Sequence, residues 1–454
     1  MLIDILVAEI GSTTTLVNAF GGIGTDSPRF LGQGQAATSV LDGDVCVGLN
    51  AAVEDLRHKL GANNIECGKM LATSSAAGGL RMSVHGLVFD MTARAAEAAA
   101  LGAGAVVTMV TAGKLSGYDI ADITTHKPNL ILLAGGTDYG ERETALFNAK
   151  AIIQAGISVP VIYAGNVQNQ SAIKDMFTRA GVPIRLAENV YPRLDELNIE
   201  SSRLIIHELF EEHIVKAPGM ERIRDSVQGT IMPTPGAVME ATRLLYQELG
   251  DVVTIDIGGA TTDIHSASGG SDEIATMQTR PEPFFKRTVE GDLGLFVNAN
   301  NLVNMVGEDN LTRELNIDVK QVMANYRPIP ETADQLALTQ RLCLAAGLTA
   351  LQRHAGRLRH IYTPSGRQTI AEGKDLTQVK YIIGTGGALT RLNGRGRIMR
   401  SLADCNRDAM MLFPRSGELK TLFDNDYIMA SLGVLSRECP DVAVKLLKNS
   451  LRID

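Results

Sequence analysis

Short apolar runs that stop abruptly at glycine recur along this chain, at 3–11, 130–136, 159–165, 252–259 and 381–387. Runs of this length, rich in Ile, Val and Leu, predict buried strands. Between the second and third lies 141–155, where Ala145, Ala149, Ile152 and Ile153 fall on one helical face and Gly156 stands ready to cap it. Strand, helix and strand starting about 30 residues apart have the length of one βαβ unit. The predicted class is therefore α/β. Further helices are predicted over 92–101, 195–216, 235–249, 332–358 and 427–451, the last interrupted near Pro440. The segment Ile231-Met232-Pro233-Thr234-Pro235-Gly236 is the predicted boundary between halves, because proline stiffens an exposed connection.

A chain of 454 residues is too long for one ordinary core, so two or three domains are expected. Aromatic residues are 4 % and Trp is absent, which leaves the packing to aliphatic side chains and Met. The charge balance, 43 − 51 = −8, comes without any Lys/Arg run, and that speaks against nucleic acid as partner. Membrane attachment is not expected. The apolar stretch 98–113 falls short of the roughly 20 residues that span a bilayer. The first ten residues carry Asp4 and Glu9 and lack a basic leader. Cys46, Cys67, Cys343, Cys405 and Cys439 are odd in number and never spaced CxxC, the usage of a reducing cytoplasm without a zinc site or a cluster held by one chain. His85, His207, His265 and His360 are not grouped as metal ligands either.

The glycine turns carry the chemistry. The first reads Glu9-Ile10-Gly11-Ser12-Thr13-Thr14 and the second Asp256-Ile257-Gly258-Gly259-Ala260-Thr261-Thr262-Asp263. A strand ending in glycine and small hydroxyl residues brings backbone N–H groups against phosphate oxygens, where a larger side chain would block the approach. A carboxylate just before such a turn would repel phosphate unless Mg²⁺ sits between them. Alone, each turn is more often only a tight turn; the pair is more specific, and it suggests two related halves facing a cleft. A third turn, Gly384-Thr385-Gly386-Gly387, offers backbone against which an adenosine could rest.

These motifs resemble the two phosphate motifs and the adenosine motif of the actin/Hsp70/sugar-kinase superfamily, in order and separation. Glu9 departs from the Asp usual there, and its extra methylene puts the metal geometry in question. A narrower resemblance spans nearly the whole chain. Leu132-Leu133-Ala134-Gly135-Gly136-Thr137-Asp138, Asn189-Val190-Tyr191-Pro192, Glu196-Leu197-Asn198-Ile199-Glu200, the Pro-rich segment, Arg287-Thr288-Val289-Glu290-Gly291-Asp292-Leu293-Gly294 and Asp426-Tyr427-Ile428-Met429-Ala430-Ser431-Leu432-Gly433 look like the glutamate mutase accessory family, GlmL or MutL, a name unrelated to mismatch repair.

The resemblance implies an actin-like ATPase that uses Mg²⁺ and ATP to reactivate an adenosylcobalamin-dependent mutase, its protein partner in the cytoplasm; a homodimer is also allowed. Expected domains are 1–235, including an extra α/β segment around 115–215, then 236–425, then a helical tail 426–454 packed back on the first. Asp256, Glu9 and Asp138 are the expected catalytic carboxylates, the first two also at the metal. Gly11, Ser12, Thr13, Thr14, Gly258, Gly259, Ala260 and Thr261 are expected on the phosphates, and Gly384, Gly386 and Gly387 on the adenosine. Asp263, Glu290 and Asp292 rank lower. Two other readings stay open: a small-molecule kinase of the same fold, and a nucleotide-dependent assembly protein without turnover. An activase for a radical dehydratase fits less well, since its cluster cysteines are missing.

Overall fold

The computed structural model describes residues 1–453 except 12, 40–43, 76–79, 215–223, 225–226, 229–230, 365 and 408. Strand β1 (Leu2–Ile10) is buried along most of its length, as its apolar run requires, and forms the centre of the first sheet. It turns at Gly11 into antiparallel β2 (Thr14–Gly21), which pairs with β3 (Arg29–Ala37), while β4 (Glu66–Ser74) adds in parallel on the other side. The helix Val45–Lys59, capped by Asp44, lies against β3. Only glycine fits at Gly34, where a Cβ would stand 1.9 Å from the Ala52 carbonyl oxygen.

The chain then builds a separate sheet. Strands β5 (Arg81–Gly86), β6 (Val106–Ala112), β7 (Leu130–Leu133), β8 (Val161–Tyr163) and β9 (Ile184–Leu186) pair in the order β6-β5-β7-β8-β9, every pair parallel. This is a doubly wound order, whose loops leave the C-terminal ends of the strands on one edge. The extra segment thus begins near residue 81 rather than 115. Its first two strands escaped notice because Ser83, His85, Thr108 and Thr111 interrupt their apolar pattern. The helix predicted over 195–216 starts only at Glu200, since Asp195 takes a left-handed conformation (φ 61°).

Strand β10 (Ile231–Pro233) returns the chain to the first sheet beside β4, and the helix Thr234–Leu249 leads into the second half. There β11 (Val252–Ile257), β12 (Thr262–Ala267) and β13 (Phe285–Glu290) form an antiparallel meander. After a hairpin of β14 (Arg357–Thr363) and β15 (Gly366–Glu372), β16 (Tyr381–Thr385) and β17 (Lys420–Phe423) add in parallel. The order β13-β12-β11-β16-β17 repeats the first sheet's β3-β2-β1-β4-β10 position for position. Two similar glycine turns thus occupy equivalent hairpins of two equivalent sheets.

The helix predicted over 332–358 ends at His354. Gly356 must pass the β14–β15 hairpin, where a Cβ would meet the Glu372 carbonyl oxygen at 2.6 Å. The tail is two helices, Met429–Leu435 and Pro440–Leu451, broken where proline begins the second. Leu432, Leu435 and Leu447 share one core with Ile5 and Val7 of the first sheet, Leu245 of the connecting helix, and Val252 and Ile383 of the second sheet. The tail therefore packs against both halves. Gly433 permits the closest approach, its hydrogen standing where a Cβ would fall 1.8 Å from the Ala237 carbonyl oxygen.

Candidate nucleotide site

The two turns meet. A Cβ built on Gly259 would lie 3.6 Å from Thr13 Oγ1, so the tip of the β1–β2 turn touches the tip of the β11–β12 turn. Their internal geometry is the same: Gly11 donates its N–H to the Thr14 carbonyl at 3.0 Å, and Gly258 to the Thr261 carbonyl at 3.0 Å. In the second turn the carbonyls are tied back. Leu295 N–H reaches Gly258 O, Phe296 and Val297 N–H reach Gly259 O, and Asn298 Nδ2 reaches Ala260 O. Among the described residues the amides of Gly259, Ala260 and Thr261 have no backbone acceptor. Oxygens held inward and N–H groups left outward are the polarity of an anion site. The strap that does this passes so close that a Cβ at Gly294 would sit 2.2 Å from the Ala260 oxygen. In the first turn Thr38 holds Gly11 and Thr13 through their carbonyls, and Ser12 lies outside the described residues.

Glu9 and Asp256 close the bases of the two turns. Glu9 is 6 % exposed and its Oε1 accepts from Asn18 Nδ2 at 3.1 Å, Ser431 N at 3.0 Å and Ser431 Oγ at 2.5 Å. The extra methylene relative to Asp has a structural use: it carries one carboxylate oxygen to the first turn of the helix Met429–Leu435. Burial nevertheless wins over those donors and pushes the Glu9 carboxyl up to about 7, with the negative Asp424 adding to the rise. Asp256 accepts no hydrogen bond among the described residues. Burial, then repulsion from Asp263 and Glu9, raises it to about 7 as well. Its Oδ1 points at Gly386, where a Cβ would come within 2.4 Å, and Gly386 itself is left-handed (φ 81°). The third turn therefore packs on the carboxylate of the second. Gly384 faces Met399 and the space beyond Gly387 is open.

The sequence reading missed several members of this site. Asp424 is 1 % exposed and accepts from Thr385 Oγ1, Ser450 Oγ and the Ile428 and Met429 amides, fixing the third turn to the tail. Arg391 bridges the halves on the outside, donating to Gln33 and Gln35 of β3 and lying over the Tyr427 ring. Ser431 stands inside a motif read for its resemblance alone; nothing in its spacing signals contact with Glu9.

Other expected residues lie elsewhere. Asp138 is not joined to this group: its carboxylate accepts from the Val167 amide at 2.9 Å and Asn189 Nδ2 at 3.0 Å, both in the third sheet's loops. Asp263 is buried against Arg287 at 2.6 Å and accepts from Thr261 Oγ1 at 2.8 Å. Glu290 and Asp292 both hold Arg353. His85, His207 and His265 are buried and kept neutral chiefly by desolvation, whereas His360 bonds Thr369 on the exposed hairpin. No three His, Cys, Asp or Glu side chains converge on a metal-sized point among the described residues. No described helix is long and apolar enough to cross a membrane.

Residues 5–451 match the model of the family described as MutL protein. "Protein MutL" of Clostridium tetanomorphum is 37 % identical over 462 residues, covering 98 % of each chain. Among solved structures, acetone carboxylase in nucleotide-free form aligns with 96 % of this chain and 70 % of its own at 14 % identity and TM-score 0.43. A nucleotide-free diol dehydratase-reactivating factor aligns over 95 % and 99 % at 11 % identity and TM-score 0.36.

Proposed function

This chain belongs to the MutL family associated with glutamate mutase, not with mismatch repair, and from that premise we propose that it is a Mg²⁺-dependent ATPase that reactivates an adenosylcobalamin-dependent mutase such as glutamate mutase. The observation that carries the ATPase part is the contact of Thr13 with Gly259, which brings the two glycine turns together at one point. The client is the finer part of the reading and rests on the family.

In this reading the amides of Gly259, Ala260 and Thr261, with Gly11, Thr13 and Thr14 opposite, receive the phosphate tail. Gly384, Gly386 and Gly387 form the wall for the adenosine, and the halves 1–235 and 236–425 move about it. The donor set suits Mg²⁺ in one respect: Asp256, at the base of the second turn, is a desolvated carboxylate without a hydrogen-bonding partner among the described residues. One or two carboxylates plus phosphate oxygens and waters are how Mg²⁺ is usually held, so a full protein cage is not required. When bound, the ion would neutralise charge on the transferring phosphoryl group. Asp256, with a pKa near neutrality, is suited to orient a water and take its proton. Glu9, half committed to Ser431, acts from behind as a source of negative charge. Asp138, bound into the third sheet's loops, is given no part in hydrolysis.

The test is phosphate release by the purified chain with Mg-ATP, alone and with cobalamin-inactivated glutamate mutase. Asp256→Asn is expected to lower release by about 10²–10³-fold while ATP still binds. Restored mutase activity with the wild type and none with the variant supports the whole reading. Phosphate release without any restoration removes the client and leaves the ATPase; absence of both removes the reading.

A further inference from the structure

Two motifs that the nucleotide site leaves unused are brought together at one edge of the third sheet. Asn189 Nδ2 donates to the Gly136 carbonyl at 3.0 Å and to Asp138 Oδ1 at 3.0 Å. The same Asp138 oxygen accepts from the Val167 amide at 2.9 Å, and the Asp138 N–H reaches the Pro192 carbonyl at 2.9 Å. Asn166, wholly buried, accepts from the Tyr139 N–H at 3.2 Å and donates to Gly140 and Glu141. Because β7, β8 and β9 are parallel, these are the loops leaving their C-terminal ends, side by side.

Three loops cross-braced by buried amides hold large apolar side chains outward. Tyr139 is 78 % exposed, Leu194 72 % and Val167 41 %. One of them is held there against backbone preference: Tyr139 has φ 64°. Leu194 precedes Asp195, which turns the chain (φ 61°) and donates its N–H to the Tyr191 hydroxyl. Left-handed backbone is disfavoured for a bulky side chain. A loop selected only for folding would carry glycine or asparagine at 139. A strained, exposed tyrosine beside exposed leucine and valine suits a protein–protein contact better than the lining of a small-molecule pocket. Around them Glu141, Glu143, Asp195 and Glu196 are exposed, against two exposed guanidinium groups, Arg193 within 3.9 Å of Glu196 and Arg142 donating to Asn169 and the Gln168 carbonyl. The rim is acidic on balance. A second copy of this chain docked face to face would set like charges together, so a different protein is the better fit.

We propose that this edge is the docking surface for the partner enzyme, which presents an apolar patch rimmed by Lys and Arg. This rests on the reading above that the chain serves a mutase. The test uses full-length chain and glutamate mutase holoenzyme, with affinity measured by calorimetry or interferometry. The double variant Tyr139→Asn with Leu194→Ser should bind at least about tenfold more weakly. It should keep wild-type basal phosphate release, and its thermal midpoint should hold or rise, because asparagine tolerates the left-handed backbone. Binding should also weaken with added salt. Undiminished binding by the variant overturns the surface and leaves the client reading intact. Loss of self-association in place of mutase binding also overturns it, in favour of a homodimer contact. If the wild type binds no mutase at all, both fall.

Discussion

Arg287 ties the second glycine turn to the third sheet: its Nε donates to Asp263 Oδ1 at 2.8 Å while its Nη1 donates to the Leu101 carbonyl at 2.9 Å and the Ala105 carbonyl at 3.2 Å. Asp263 in turn accepts from Thr261 Oγ1. The Leu101 carbonyl belongs to the C-terminal end of the helix Arg94–Gly102, which follows β5. A continuous set of hydrogen bonds thus runs from the turn that would meet phosphate to the layer that carries Tyr139.

Removing one member of this buried pair strands the other. Arg287→Met is expected to destabilise the chain by about 3–5 kcal/mol, and the double variant with Asp263→Asn to recover part of that loss. Denaturant titration of the three variants measures both. A single variant no less stable than wild type would mean that the pair does not join the layers.

The paired carboxyls make a pH dependence of unusual sign. Glu9 and Asp256 both have folded pKa values of about 7, above the ordinary carboxylate range. Each therefore contributes stability that is complete below its unfolded pKa and is lost as pH rises through about 7. Buried His85, His207 and His265, held low, act oppositely below about 6.5. The difference between wild type and Glu9→Gln/Asp256→Asn isolates the carboxyls. Without nucleotide, the variant's advantage in thermal midpoint should grow from pH 5 to pH 8, read by scanning calorimetry, and a flat difference would contradict the burial argument.

Gly386 is the point where two turns press together. Gly386→Ala would push a methyl against Asp256 Oδ1 and the Ile257 carbonyl, at a left-handed position. The expected cost is about 1–3 kcal/mol of stability together with weaker nucleotide binding, measured by denaturation and by titration with Mg-ATP. Gly387, with open space beyond it, should tolerate alanine without loss of stability.

The chain's pattern disclosed the mostly apolar strands β1, β7, β8, β11 and β16, because burial on both faces leaves few polar residues to blur them. It hid β5 and β6, where Ser83 and Thr111 bond the buried His85. It hid the hairpin after Gly356, which reads as a continuation of the preceding helix until the Glu372 backbone is seen against it. The two touching turns, with Gly11, Gly258 and Asp256, stand out in the sequence because glycine after an acid-bearing strand is a local signal. Asp424, Ser431 and Arg391 do not. Their partners Thr385, Glu9 and Gln33 stand 39, 422 and 358 residues away, and no spacing rule reaches that far. Asp138 gives the same local signal, a carboxylate after a glycine turn, yet it bonds Val167 and Asn189 in neighbouring loops and does not join Glu9 and Asp256.

A calorimetric titration of Mg-ATP into wild type and Gly259→Val tests the shared grip most directly. Gly259 has ordinary backbone and a Cβ there would make only ordinary contact with Thr13, so the variant should fold with an unchanged thermal midpoint while its side chain fills the space proposed for phosphate. One nucleotide per wild-type chain, and affinity reduced by about a hundredfold or more in the variant, is the expected result. A stably folded Gly259→Val that binds Mg-ATP as tightly as wild type would contradict it.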